Sequence, residues 1–322
     1  MKTVIIGFCG HTGYALESIR KNPELKIVGV ATADPADIND AAATGVIQFH
    51  GCRFYDDYRR MLDEQHPDVA VIASRYDLNG VISLDCLRRG INCFTEKAVA
   101  HDLQMLTSLK LAAAENSVRI IGMHGMRYSP EYYAAYQAVK GGEIGEPVLF
   151  TGQKSYKFGT GRSEFCKRRE TYGGTILWVA VHAIDWAYWI MGDMNSIQAD
   201  HSSRHNFGYG DCETAAVMLF SFKNGGFGTI NADFYQPLKS QLCGDDRMRI
   251  AGDKGVINVH EGKAFLTTHE HEILELPLQN GDFFGDFCRE IQGCCTCRIG
   301  MDDTFRVTEL GIIARDNADS KN

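Results

Sequence analysis

The chain has 322 residues, 44% of them hydrophobic and 23% charged, with a formal net charge of −8. At roughly 100–200 residues per domain this is room for about two domains of ordinary globular composition. The acidic balance argues against wholesale binding to nucleic acid or an anionic membrane, and no apolar run approaches the roughly 18 residues of a membrane span.

Met1-Lys2-Thr3 leads straight into an apolar strand with no signal-peptide pattern, a cytoplasmic reading. Thr3 to Ile6 is the kind of continuous apolar strand buried in a parallel sheet. It runs into Gly7-Phe8-Cys9-Gly10-His11-Thr12-Gly13, and Tyr14 to Asn22 follows with helical spacing, Leu16 and Ile19 on one face. A glycine-rich turn between strand and helix aims backbone N–H groups at an anion, with the helix dipole behind them. The GxxGxxG spacing is one residue longer than the usual dinucleotide fingerprint. It suits the pyrophosphate of NAD or NADP and makes Gly7, Cys9, Gly10, His11, Thr12 and Gly13 candidate cofactor residues; a merely tight turn is the alternative.

Strand two, Lys26 to Ala31, ends in Thr32-Ala33-Asp34-Pro35. Thr32 stands where an NAD-preferring domain usually carries an acid for the ribose, and Asp34 comes two residues late. No arginine follows to welcome a 2′-phosphate, which leaves NAD and NADP both open. Tyr58 to Gln65 reads as a helix, Asp68 to Ala73 as a strand, Gly80 to Arg89 as a helix and Ile91 to Phe94 as a strand. Met105 to Asn116 is helical and Arg119 to Gly122 a short strand. This alternation means a doubly wound parallel sheet, whose ligand edge collects Gly7–Gly13, Thr32, Ser74–Tyr76 and Glu96–Lys97. A lysine held there, partly desolvated beside a carboxylate, can have its pKa lowered towards neutrality and pass a proton. The alternative is a surface Glu–Lys pair at a helix start.

After Gly122 the pattern changes, which divides the chain into domains 1–122 and 123–322. Pro130 to Lys140 is a helix and Pro147 to Gly152 starts a strand. The loop from Lys154 to Gly174 carries Lys154, Lys157, Arg162, Lys167, Arg168 and Arg169 against Glu164 and Glu170. It is either a solvated loop or the receiver of an anionic substrate, with Arg168 and Arg169 foremost. Thr175 to Met191 is helical, with Trp178 and His182 on one face and Asp185 a turn further on. A histidine in such a helix is either a satisfied core residue or a catalyst. From Glu213 onward the chain is β-rich, with a hairpin turn at Asn224-Gly225. Ala215 to Phe222 is apolar on both faces, so helices are expected on one and a second subunit on the other, in a homodimer or homotetramer. Phe283 to Gln292 and Asp303 to Ala314 are closing helices. Eleven scattered cysteines read as reduced thiols. The cluster Cys294, Cys295 and Cys297 lacks the second CxxC or paired histidine of a zinc site, so no metal is expected there.

In order, the glycine loop, the EK pair at a strand end, GMRYSP at Gly125–Pro130 and GG(x)7H(xx)D at Gly173–Asp185 resemble the glucose–fructose oxidoreductase/inositol dehydrogenase (Gfo/Idh/MocA) family. The resemblance covers essentially the whole chain. It implies a Rossmann domain followed by an α+β domain with a large, open, mostly antiparallel sheet, NAD(P) and substrate between them, and chemistry on sugars, polyols or their acids. By position, Gly7, Gly10 and Gly13 match the pyrophosphate loop, Lys97 the active-site lysine and His182 the histidine that assists proton transfer. Glu96 falls where the family's EKP motif borders the nicotinamide.

Three departures stand out. Trp178 replaces the aspartate that commonly precedes the histidine by four residues, Ala98 replaces the proline of EKP, and Ser74-Arg75-Tyr76 replaces a Thr-Pro-Asn. An indole accepts no proton, although it can stack on a sugar ring or flank the nicotinamide. Lys97 and His182 are then left to manage the proton, with a loop tyrosine such as Tyr156 or Tyr172 to assist. The expected function is an NAD(P)-dependent oxidoreductase moving hydride to or from a hydroxyl- or carbonyl-bearing carbon of a small sugar, polyol or sugar acid. Lys97, Arg127, Arg168, Arg169, Trp178 and His182 are its expected substrate contacts. Trp178 keeps open a non-catalytic NAD(P)-binding regulator or sensor. The glycine spacing keeps open a reductase of amino-acid-derived ketones or imines.

Overall fold

The computed structural model describes residues 1–33, 45–48, 50–159, 162–242 and 244–321; Asp34, expected near a ribose, lies outside them. The chain divides into two compact units, Met1–Gly125 with Asp282–Glu309, and Met126–Gly281 with Leu310–Asn322.

The first unit is built on β1 (Lys2–Ile6), β2 (Lys26–Ala31), β3 (Arg53–Tyr55), β4 (Val69–Ile72), β5 (Asn92–Thr95) and β6 (Ile120–Gly122). All six are parallel, in the order β3-β2-β1-β4-β5-β6. The two central strands, β1 and β4, carry the most continuous apolar runs, Val4-Ile5-Ile6 and Val69-Ala70-Val71-Ile72, all buried. A strand covered on both faces must be apolar at every position, which is why these runs do not alternate. The helices α1 (Gly13–Lys21), α2 (Tyr58–Gln65), α3 (Tyr76–Arg88) and α4 (Leu103–Glu115) belong to the same unit. Asp57 and Asp102 cap α2 and α4 by accepting from Arg59 N and Met105 N. Strand order reverses between β1 and β4, so the crevice beyond their carboxyl ends is where such a sheet takes a ligand.

The second unit holds eight strands in the order β14-β13-β12-β11-β7-β10-β9-β8. They are β7 (Pro147–Ser155), β8 (Met194–Ser202), β9 (Ala215–Phe222), β10 (Phe227–Asp233), β11 (Arg247–Gly252), β12 (Gly255–His260), β13 (Lys263–Thr268) and β14 (Leu274–Glu275). Only β7 and β10 pair in parallel. Helices α5 (Pro130–Lys140) and α6 (Val181–Met191) supply Tyr132, Ala135, Ile184 and Trp186 to the core on one face. Ala216, Met218, Phe220 and Phe222 of β9 point into that core, whereas Val217 and Leu219 are 55% and 47% exposed. The expected helix from Thr175 begins instead as a π-helical turn, Ile176–Ala180, which runs into α6. Such turns widen the backbone locally and recur at functional sites.

Two helices close the chain, α7 (Phe283–Ile291) and α8 (Met301–Asp319). Phe94 of β5 is ringed by Phe283, Phe284 and Phe287 at centroid distances of 4.8, 5.2 and 5.7 Å. Aromatic contacts of this kind contribute about 0.5–1.5 kcal/mol each beyond area burial. They hold Asp282–Glu309 to the first unit, although in sequence this segment follows residues 123–281. Among the described residues no helix is long and apolar enough to cross a membrane, and the cysteines, Cys294, Cys295 and Cys297 included, are free thiols.

Candidate functional site

In the first unit β1 stops at Ile6 and α1 starts at Gly13, so Gly7 to Thr12 turn at the edge of the crevice. Gly7 has φ +79°, and a Cβ on it would lie 2.6 Å from the Ala73 carbonyl oxygen. Only glycine lets the loop cross the end of β4 this closely. Gly7 N donates to Ala31 O at 2.9 Å and Cys9 N to Ala73 O at 2.6 Å, which fastens the loop on both sides. A Cβ on Gly10 would strike the Glu96 carboxylate, while one on Gly13 would meet nothing within 4 Å. The mouth of α1 is therefore open. The backbone N–H groups of Gly10, Thr12 and Gly13 have no acceptor among the described residues. Free N–H groups at a helix N-terminus over open space fit the pyrophosphate of a dinucleotide.

β5 delivers Glu96 and Lys97 to the same edge, 1% and 4% exposed, which rules out a surface ion pair. Glu96 accepts from His11 N at 2.8 Å, and both its oxygens lie 3.0 Å from His11 Nδ1. Lys97 Nζ is 3.6 Å from Glu96 Oε1. Burial pushes the Glu96 pKa up, but the charge and hydrogen bonds of His11, with Lys97, outweigh it and hold the carboxyl at about 2. Glu96 is thus ionised throughout the physiological range. Its carboxylate turns to the glycine loop, a placement that its position in the EK pair did not foretell. The Lys97–Ala98 peptide bond is cis, although Ala98 stands where the motif has proline.

Thr32 is half-buried at the end of β2. Ser74 is buried, its N–H on Asn79 Oδ1 at 2.9 Å, and the Arg75 guanidinium binds Asp77 at 2.7 and 2.9 Å. His124, which the sequence reading did not single out, is fully buried two residues past the carboxyl end of β6.

In the second unit Trp178 and His182 are buried, one in the π-helical turn and the other in the first turn of α6. Arg127, expected at the substrate, has an internal partner instead. Its Nε and Nη2 donate to Asp185 Oδ1 at 2.9 and 2.7 Å, and both side chains are 1% exposed. A guanidinium taken out of water needs such a carboxylate.

The basic loop does not gather into one anion-receiving surface either. Lys154 is buried against Asp246; burial pulls its pKa down, but Tyr156 and Asp246 outweigh that and raise it. Lys157 donates to Ser240 O at 2.6 Å, and Lys167 pairs with Glu164 at 2.8 Å. Arg169 pairs with Glu213, and with Asp319 at 2.7 Å, while Arg168 is exposed. Three of the acids involved come from other segments, which no local count of charge could reveal. Burial pushes the Tyr172 hydroxyl well above the usual phenol range, so it stays protonated at neutral pH.

Two family models match this chain, one for the oxidoreductase family with an NAD-binding Rossmann fold over residues 1–124, the other for the GFO/IDH/MocA C-terminal domain over residues 132–258. A solved structure from Thermotoga maritima, classed as an oxidoreductase, is 37% identical with a TM-score of 0.95, over 100% of this chain and 99% of that one. Levoglucosan dehydrogenase in complex with NADH and levoglucosan shares the fold at TM-score 0.86 and 16% identity, over 100% of this chain and 98% of that one. Among curated relatives, inositol 2-dehydrogenase of Rubrobacter xylanophilus is 24% identical over 58% of this chain and 51% of its own length. The scyllo-inositol 2-dehydrogenase (NAD(+)) of Bacillus subtilis is 22% identical over 76% of this chain and 71% of its own. The match thus spans about half the length of the first of these relatives and about seven-tenths of the second.

Proposed function

Since the chain belongs to the Gfo/Idh/MocA family of NAD-binding oxidoreductases, we propose that it is a dehydrogenase or reductase acting on a sugar, polyol or sugar acid. The observation that carries the reading lies within the first unit. A buried lysine and a glycine turn with free N–H groups share one sheet edge, tied together by Glu96.

Bound NAD(P) supplies the hydride donor or acceptor at its nicotinamide. The loop Gly7, Cys9, Gly10, His11, Thr12 and Gly13 holds the pyrophosphate, with Thr32, Ser74 and Arg75 around the rest of the cofactor. Lys97 donates a hydrogen bond to the substrate oxygen and exchanges its proton as that carbon is oxidised or reduced. Glu96, which accepts from His11 N and lies 3.6 Å from Lys97 Nζ, keeps the loop in register beside the lysine. His182 is the second proton-handling group, and Trp178 contributes a ring face and no base. General acid–base help of this kind contributes about 10²–10⁴-fold. The names of the relatives make inositols and levoglucosan the first compounds to screen. Free thiols suit a cytoplasmic protein.

Two measurements test the proposal. Titration with NADH and NADPH separately, followed by nicotinamide fluorescence, should show binding of at least one. Lys97→Ala should lower kcat by about 10²–10⁴-fold while that binding persists; a near-wild-type kcat would refute the role. Trp178 at the usual aspartate position favours one second reading, a cofactor-binding sensor. Tight NADH or NADPH binding without turnover of any polyol or sugar acid would select it.

A further inference from the structure

Arg162 stands apart from the other basic residues of its loop. In the second unit its guanidinium carbon lies 3.8 Å from the ring centre of Phe234, 4.8 Å from that of Phe158 and 6.0 Å from that of Tyr172. Its Nε is buried without a hydrogen-bond partner, and Nη1 reaches Cys212 Sγ at 3.9 Å, a weak acceptor. Lys154, Lys167 and Arg169 each have a carboxylate within ion-pair distance, and Arg162 has none among the described residues. Its thiol neighbours supply no charge. Burial pushes Cys166 up to about 11 despite Arg162, and raises Cys212 as well. The flanking rings offset part of the cost of desolvating the cation, and the Tyr172 hydroxyl, which also meets Thr175, is a neutral partner that leaves the charge uncompensated.

Beside it is a cavity of about 580 Å³, lined by Phe158, Arg162, Phe207, Tyr209, Phe234 and Leu238 among others. That volume falls within the roughly 300–1,000 Å³ of small-molecule sites. Phe207 and Leu238 stand at 65% and 63% exposure, large apolar side chains left in water around a cationic floor. The Tyr209 hydroxyl donates to the Arg162 carbonyl, which holds the arginine segment against that wall.

We propose that this cavity is an oxyanion-binding site, in which Arg162 takes a carboxylate or phosphate carried on a ring that stacks against the surrounding aromatic side chains. A guanidinium binds such groups with two parallel N–H donors, and flat rings suit the faces of sugars. The choice of a sugar as the ring rests on the oxidoreductase reading above; the oxyanion does not. Sugar acids and sugar phosphates share this chemistry.

The test is calorimetric titration of the full-length protein with D-glucuronate, D-glucose 6-phosphate and neutral D-glucose. At least one of the two anions should bind about tenfold or more tightly than glucose. A preference for glucuronate selects the carboxylate and a preference for glucose 6-phosphate the phosphate. Arg162→Gln should remove the preference while leaving any glucose binding, and Arg162→Lys should keep part of it. Leu238→Glu, at an exposed rim position, serves if Arg162→Gln does not fold; it should weaken the anions selectively. Equal binding of all three ligands overturns the proposal. So does a preference that survives Arg162→Gln in a folded protein or is untouched by Leu238→Glu. Because the readout needs neither cofactor nor turnover, a protein without dehydrogenase activity still gives a decisive answer.

Discussion

Glu96 illustrates how one side chain decides what its neighbours can do. A buried carboxylate without partners would take up a proton, yet His11 and Lys97 hold this one at about 2, below the roughly 4.3 of a free glutamate. The stabilisation is therefore complete above about pH 4.3 and is lost as the pH falls through about 2. A shift of this size corresponds to on the order of 3 kcal/mol. Glu96→Gln should lower the urea midpoint at pH 5, and the two proteins should converge as the pH drops towards 2. A gap that persists to the acid limit would show that the carboxylate's charge does not hold the loop. The EK pair was legible in the sequence because it directly follows a β-prone run. Its partner was not, because His11 lies 85 residues away and only the sheet order brings the two strand ends together.

Between elements, the Arg127–Asp185 pair ties the short 3₁₀ turn Gly125–Tyr128 to α6, the helix that carries His182. Removing one member of a buried pair leaves the other charge uncompensated, at a cost of about 3–5 kcal/mol, whereas an apolar pair of similar volume is often tolerated. Asp185→Asn should lower the chemical-denaturation midpoint accordingly, and Arg127→Met with Asp185→Leu should recover most of the loss. If the single variant is as stable as wild type, the pair does not secure the turn. Asp185 stood out in sequence as part of GG(x)7H(xx)D, but the spacing could not say that it faces an arginine 58 residues earlier. The same limit explains the basic loop: its lysines and arginines were visible, while Glu213, Asp246 and Asp319, which neutralise Lys154 and Arg169, arrive from segments just before β9 and β11 and from the last helix. The central strands β1 and β4 were legible from their unbroken apolar runs, since a strand covered on both faces does not alternate. The parallel pairing of β7 with β10 was not, since nothing in either strand's composition encodes its neighbour.

For the whole molecule, the remaining question is the outer face of the eight-stranded sheet. Register aligns Asp200, Val217, Asn231, Gln153 and Arg247 in one row, and Gln198, Leu219, Thr229, Thr151 and Arg249 in the next. Val217, Leu219, Phe227 and Leu149 give this face an apolar middle, all at least 42% exposed. An acid lies at the β8 side and arginines at the β11 side, so the face is complementary to itself under a two-fold rotation, as an isologous interface requires. The apolar reading of both faces of β9 thus becomes a specific expectation, a homodimer or a tetramer built from such dimers. Sedimentation velocity at micromolar protein should give at least a dimer. Leu219→Asp with Phe227→Asp, both at solvent-exposed positions, should give a folded monomer with an unchanged circular dichroism spectrum. A monomeric wild type would defeat the expectation, and a double variant that still sediments as an oligomer would move the interface to another surface. Loss of cofactor binding in that monomer would in turn show that assembly supports the first unit as well as covering the second.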